Sequence, residues 1–209
     1  MTATTLPRPT KIVCVGRNYA AHARELGNEV PERPLLFLKP PSSLIGDGDA
    51  ILLPPESSRV EHEAEIGVIV GVRARNLTAA QALSAVAGYV PLNDVTARDL
   101  QKLDVQFTRA KGYDTFCPVG PVAAHPDWRE LEIIGRVNDT VRQHGRAVDM
   151  IFGVPEIIEY ISRVMTLEPG DIIATGTPEG VGPLVSGDVV EVEIPGIGSL
   201  RNPVKTAPA

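Results

Sequence analysis

Four stretches of the sequence carry polar residues at spacings that could do chemistry. Glu61-His62-Glu63-Ala64-Glu65 runs directly into the apolar stretch Ile66 to Val72. In an extended strand the side chains alternate, so Glu61, Glu63 and Glu65 share one face, with roughly 6.6 Å between successive carboxylates. Like charges so placed repel unless a cation joins them. Asp94 follows a second apolar stretch, Tyr89 to Leu92. Glu63, Glu65 and Asp94 offer oxygen donors without His or Cys, a set that suits Mg²⁺ or Mn²⁺ with positions left open for water and substrate. A solvated acidic strand edge with a capping aspartate has the same spacing.

The second stretch is Arg17-Asn18-Tyr19-Ala20-Ala21-His22-Ala23-Arg24-Glu25. On a helix His22 and Glu25 are i and i+3 and lie on one face, where the carboxylate would fix the imidazole tautomer and raise its basicity. An exposed helix whose His and Glu meet only water is the plainer reading. The third is Thr96-Ala97-Arg98-Asp99-Leu100-Gln101. Arg98 falls in a first helical turn, where the dipole disfavours a cation, so it either clamps a substrate carboxylate with Gln101 or makes a local salt bridge. Lys111 follows beside glycine and aromatic neighbours, where a surface lysine is the usual case. The fourth, Thr175-Gly176-Thr177-Pro178-Glu179-Gly180-Val181-Gly182, lacks nucleotide-loop spacing. It could present N–H and hydroxyl groups to a carboxylate, or be a plain tight turn.

These residues must be positioned by short elements. Lys11 to Val15, Leu35 to Leu38, Ile51 to Leu53, Glu63 to Val72, Gly88 to Leu92, Asp171 to Ala174, Val189 to Ile194 and Ser199 to Arg201 read as strands. Ile133 to Val137 and Val141 to Gln143 flank Asn138-Asp139-Thr140 as a hairpin. Helices are expected over 19–26 with Asn18 as cap, over 78–86, over 96–103 with a Thr96/Asp99 capping box, and over 155–165. The result is one α+β, mainly β domain over 11–209, preceded by a flexible leader over 1–10.

Composition narrows the function. The 209 residues include 20 basic and 26 acidic side chains, a net charge of −6, with 19 glycines and 19 prolines. That content of turn formers disfavours a helical bundle, and an acidic chain without a basic tract disfavours nucleic acid as a partner. The longest apolar stretch is far short of the roughly 20 residues that span a bilayer, so no membrane association is expected. Residues 1–11 lack the apolar core of a signal peptide, and Cys14 and Cys117 stand far apart, as suits reduced thiols in a cytoplasmic protein.

Taken in order, these motifs resemble the fumarylacetoacetate hydrolase family. The resemblance is carried by Gly16-Arg17-Asn18-Tyr19 with His22 and Glu25, by Leu36-Phe37-Leu38-Lys39-Pro40, by Glu63-Ala64-Glu65, by Asp94 before Thr96-Ala97-Arg98-Asp99, and by the 175–182 loop. It covers residues 11 to 203 and lies nearest the small acylpyruvase, oxaloacetate decarboxylase and hydroxyheptadienedioate isomerase branch. The resemblance implies a mixed β-roll, a homodimer, and Mg²⁺ or Mn²⁺ on Glu63, Glu65 and Asp94. It also implies a His22–Glu25 dyad on a lid, a substrate-side Lys111, and Arg17, Arg98, Gln101 and Thr177 beside a bound small oxoacid. The loop between Leu103 and Phe107 is shorter than in acylpyruvase-like members, which leaves the pocket size open there. The first expectation is C–C hydrolysis of an acylpyruvate or related oxo-dicarboxylate through a metal-stabilised enolate. Isomerisation or decarboxylation in aromatic-acid breakdown is the alternative on the same scaffold, and a non-catalytic metabolite-binding β-domain the alternative outside it.

Overall fold

The computed structural model describes residues 8–125 and 127–208. Most of the expected leader therefore lies outside the described residues, whereas Thr10 is anchored through its N–H and hydroxyl to Asp171. The chain runs β1 (Ile12–Gly16), α1 (Ala20–Glu25), β2 (Leu35–Lys39), β3 (Leu44–Ile45), β4 (Ile51–Leu53), β5 (Val60–His62) and β6 (Ala64–Val70). It continues with α2 (Ala79–Ala82), β7 (Val86–Asn93), β8 (Thr96–Ala97), α3 (Arg98–Leu103), α4 (Thr108–Lys111) and β9 (Cys117–Pro118). The last part comprises β10 (Glu132–Val137), β11 (Thr140–Arg146), α5 (Val154–Val164), β12 (Ile172–Ala174), β13 (Gly182–Pro183), β14 (Val189–Ile194) and β15 (Gly198–Thr206).

Two five-stranded mixed sheets dominate, in the orders β2-β1-β12-β6-β7 and β11-β10-β14-β15-β4. Val13, Val15, Ile66 and Val68 of the first sheet meet Ile133, Val190, Val192 and Val204 of the second in one buried core. Ile157, Ile158 and Ile161 join it from α5, whose helical spacing points one apolar face inward. On the other face of the first sheet, Ile12, Cys14, Val90 and Leu92 pack with Cys117 in a second cluster. Both cysteines are buried and free. A three-stranded sheet, β13-β5-β8, carries Glu61 and His62 of the acidic motif on β5 and adds Val60 and Ala97 to the main core.

The mainly β, mixed-sheet architecture agrees with the sequence reading, but several local details differ. The expected continuous strand from Glu63 to Val72 is broken at Glu63, which separates β5 in the small sheet from β6 in the first large one. The expected helix over 78–86 is one α-turn followed by a 3₁₀ turn, started by a Thr78/Gln81 capping box. Asn18 does not cap α1. Its side chain instead donates to the carbonyls of Thr175 and Phe152, and accepts from the Phe152 N–H, tying the ends of three distant segments together. Thr96 and Asp99 form no capping box: the Thr96 hydroxyl donates to the Asp94 carbonyl, and Asp99 accepts from Ser57 and Ser58. Asn138 and Asp139 have φ of 50° and 63°, the paired left-handed conformations that a two-residue hairpin turn requires.

Candidate metal centre

The break at Glu63 turns the acidic motif into a cradle. β6 pairs with β7 so that Ala64 faces Asn93 and Glu65 faces Leu92. The ladder continues past the strand end, because Asp94 N–H donates to the Glu63 carbonyl at 2.9 Å and Glu63 N–H donates to Asn93 Oδ1 at 2.9 Å. Asp94, distant in sequence, thus arrives beside Glu63 and Glu65. One carboxylate oxygen from each of the three lies within 4.8 Å of the others, and all three residues are buried.

Buried carboxylates are costly unless paired. Three cations are enlisted. Arg98 Nη2 reaches Glu63 at 2.5 Å, its Nε reaches Glu61 at 2.7 Å and its Nη1 donates to Gln101 at 2.6 Å. Lys111 Nζ donates to Glu63 at 2.7 Å and to Asp94 at 2.6 Å. Lys39 Nζ takes the other Asp94 oxygen at 2.6 Å and the Val95 carbonyl at 3.2 Å. Among the described residues, Glu65 receives only a neutral donor, the Gly176 N–H at 2.8 Å.

This uneven pairing separates the carboxylates chemically. Burial raises the Glu63 carboxyl, but Lys111 and Arg98 outweigh it and hold the group far below the usual carboxylate range. Glu65 moves the other way: burial, then the charges of Asp94 and Glu63, push it well above that range. Lys111 stays charged despite burial because Asp94 and Glu63 outweigh desolvation. The cradle therefore keeps one uncompensated carboxylate beside two compensated ones, and its donors are all oxygen. That donor set fits a hard divalent cation, whose charge would relieve Glu65.

The triad forms the floor of a cavity of about 450 Å³, lined also by Arg17, His22, Glu25, Arg98, Gln101, Lys111 and Thr177. Every residue singled out from the sequence thus meets in one place. His22 Nδ1 lies 3.1 Å from Glu25 Oε2, on the same face of α1 as expected, and the ring is buried. The other Glu25 oxygen accepts the Gly180 N–H at 3.0 Å. Arg17 sits in the turn after β1 with φ of 58°, a left-handed conformation uncommon outside glycine. The Thr177 hydroxyl is engaged within the protein, donating to the Ala64 carbonyl and accepting from Gln143. Phe37 and Phe107 form an edge-to-face pair on the apolar wall, with Lys111 over the Phe37 ring.

Sequence reasoning assigned no role to Lys39, Glu61 or Gln143. Lys39 does leave a trace, a lone cation at the end of the apolar run Leu35 to Leu38. Glu61 stood on the right face of the strand, but its partners Arg59 and Arg98 could not be known from spacing. Gln143 left no signal in an exposed hairpin strand.

Comparisons with known proteins identify the family of this fold. The family model for the fumarylacetoacetate (FAA) hydrolase C-terminal domain matches residues 11–205. The oxaloacetate tautomerase YisK of Bacillus subtilis is 44% identical over 214 residues, covering 95% of this chain and 71% of its own. The solved structure of 5-carboxymethyl-2-hydroxymuconate delta-isomerase from Mycobacterium smegmatis matches with a TM-score of 0.90 at 44% identity, covering 97% of this chain and 81% of its own. Fumarylpyruvate hydrolase from Pseudomonas aeruginosa, solved with Mn²⁺ and pyruvate, matches with a TM-score of 0.92 at 31% identity, covering 99% and 93%. The chain belongs to the fumarylacetoacetate hydrolase family of enzymes.

Proposed function

We propose that this chain is a divalent-metal-dependent enzyme of small 2-oxo-dicarboxylates, whose elementary step is proton transfer at the carbon beside the oxo group. The observation that carries this reading is the His22–Glu25 pair opening into the same cavity as Glu63, Glu65 and Asp94. A Mg²⁺ or Mn²⁺ ion held by those three carboxylates would supply Lewis acidity toward the carboxylate and keto oxygens of a 2-oxoacid.

The protein's own groups account for the proton. Glu25 can only accept, so His22 must carry its proton on Nδ1, which leaves the Nε2 lone pair to take a proton from substrate. The Gly180 N–H on the second Glu25 oxygen keeps that carboxylate turned toward the ring. Lys111 adds positive charge near the oxygen where negative charge develops. Arg17, Arg98 and Gln101 bring donors to the cavity wall for the acid's carboxylates. Return of the proton gives tautomerisation, whereas decarboxylation starts from the keto form: the C–C bond to a β-carboxylate breaks, CO₂ leaves, and its electron pair flows into the oxo group to give an enolate that is then protonated.

Tautomerisation is placed first because the tautomerase relative is 44% identical while the hydrolase neighbour is 31% identical. Acylpyruvate C–C hydrolysis, the first expectation from the motifs, becomes the second reading. It is favoured by the near-complete overlap with fumarylpyruvate hydrolase, and it asks His22 to deprotonate water instead of carbon. A panel of enol-oxaloacetate, oxaloacetate and acylpyruvates, read by product with added Mn²⁺, tests both. Wild type should accelerate decay of the enol, and His22→Ala should lose this while still binding Mn²⁺. Undiminished turnover in Glu65→Ala, or turnover indifferent to chelator, would overturn the metal assignment.

A further inference from the structure

We infer that Gln143 is a positioning residue that locks one backbone loop onto both halves of the site at once. The inference rests on the roles proposed for Glu65 and Glu25. Residues 175–180 leave the end of β12 and bring two N–H groups to those carboxylates: Gly176 to Glu65 at 2.8 Å and Gly180 to Glu25 at 3.0 Å. Both glycines are required by geometry. Gly176 has φ of +100°, and a Cβ there would stand 2.7 Å from the Asn18 Cβ. Gly180 has φ of +96°, and its Cβ would overlap the Arg142 carbonyl.

Asn18 holds the start of this loop through the Thr175 carbonyl, and its middle is held by the amide of Gln143. Gln143 lies on β11, whose neighbours Thr140, Val141, Arg142 and His144 are exposed, yet Gln143 itself is 1% exposed. Its cross-strand partner is Gly135, which leaves room for the side chain to turn inward. Gln143 Oε1 accepts from Ala64 N–H at 3.0 Å and from the His62 ring at 2.9 Å. Gln143 Nε2 donates to the Thr177 hydroxyl at 2.7 Å and to the Pro178 carbonyl at 2.8 Å. A primary amide has two donors and two lone pairs, and all four are used. The oxygen grips the β5–β6 junction that carries Glu61, Glu63 and Glu65, and the nitrogen grips the loop. Thr177 relays the grip by donating onward to the Ala64 carbonyl at 2.8 Å. Gln143 touches neither the three carboxylates nor the dyad, but it fixes the distance between their two N–H donors.

Two variants separate this role from simple core filling. Gln143→Glu keeps size and the oxygen facing Ala64 and His62 but replaces the donors to the loop. Gln143→Met removes both halves. In either variant, amide exchange at Gly176 and Gly180 should accelerate together by on the order of tenfold, while α5 stays protected. Mn²⁺ affinity should fall on the order of 10-fold or more, as when an outer partner of a metal ligand is lost. The kcat should drop with little change in KM. Should the Met variant not fold, the Glu variant carries the test. A lower melting temperature with wild-type exchange at Gly176 and Gly180, and wild-type Mn²⁺ affinity, would overturn the inference. Wild-type protein without Mn²⁺-dependent turnover would instead overturn the proposed function, and the exchange pattern would still decide the role of Gln143.

Discussion

Lys111 and Glu65 carry opposite sides of the same electrostatic problem. Lys111 Nζ bridges two of the three cradle carboxylates, so it acts as part of the cation that the cradle demands. Removing one partner of a buried ion pair leaves the other uncompensated, a loss of about 3–5 kcal/mol. Lys111→Met is therefore expected to lower the melting temperature of metal-free protein, to bind Mn²⁺ more tightly, and to recover part of its stability when the ion is added. A titration of Mn²⁺ followed by heat denaturation reads both effects, and weaker Mn²⁺ binding would contradict the charge argument. Glu65→Gln should behave in the opposite way. It replaces a carboxylate that burial and its acidic neighbours already disfavour, so metal-free stability should hold or rise while Mn²⁺ binding disappears.

At the level of elements, β12 shows how a single carboxylate can hold a strand in place. Asp171, at the start of β12, accepts from Thr10 N–H and hydroxyl, from Lys11 N–H and from Glu168 N–H, and pairs with Lys11 Nζ at 2.5 Å. Burial raises its carboxyl, but the Glu168 amide, Lys11 and Thr10 outweigh that and hold it below the ordinary carboxylate value. A depressed folded-state value means stability that is present above the unfolded carboxylate range and lost as pH falls through the folded one. Asp171→Asn should therefore melt lower than wild type at neutral pH, with the gap closing in acid; a constant gap across the titration would contradict this. Such ties explain what sequence could and could not reveal. The hairpin at Asn138-Asp139 and the helical face of α5 are local patterns and were legible. The parallel pairing of β1 with β12, the reassignment of Asn18 from cap to strut, and the buried positions of Lys39 and Gln143 depend on partners far away in the chain, 34 residues for Gln143 and Thr177 and 157 for Asn18 and Thr175. No window of local periodicity contains them. The triad was legible because chain order and residue type together marked it; its pairing cations were only half so, since Arg98 and Lys111 carried an expected role and Lys39 stood in the Leu36–Pro40 motif without one.

Across the whole molecule, the two large sheets share one core and the small sheet adds to it, so the cradle is assembled from β2, β5, β6, β7, α3 and α4 together. Among the described residues no helix is long and apolar enough to cross a membrane. Because the three carboxylates come from the β5–β6 break, from β6 and from the residue after β7, the cradle exists only in the folded chain, and an ion held there would stabilise the folded state alone. Linkage then sets the size of the effect: at a free ion concentration of a hundred times Kd the gain is about 2.7 kcal/mol. For a domain of this length, each kcal/mol moves the melting temperature by about 2–4 °C. Saturating Mn²⁺ should thus raise the transition by about 5–10 °C, and chelator should reverse it. Ca²⁺, which prefers more ligands at longer distances, should raise it less. Glu65→Gln should abolish the rise, whereas His22→Ala should keep it, since His22 belongs to the dyad and not to the triad. A rise that survived Glu65→Gln would place the ion elsewhere on the protein and separate the acidic cradle from the chemistry proposed for it.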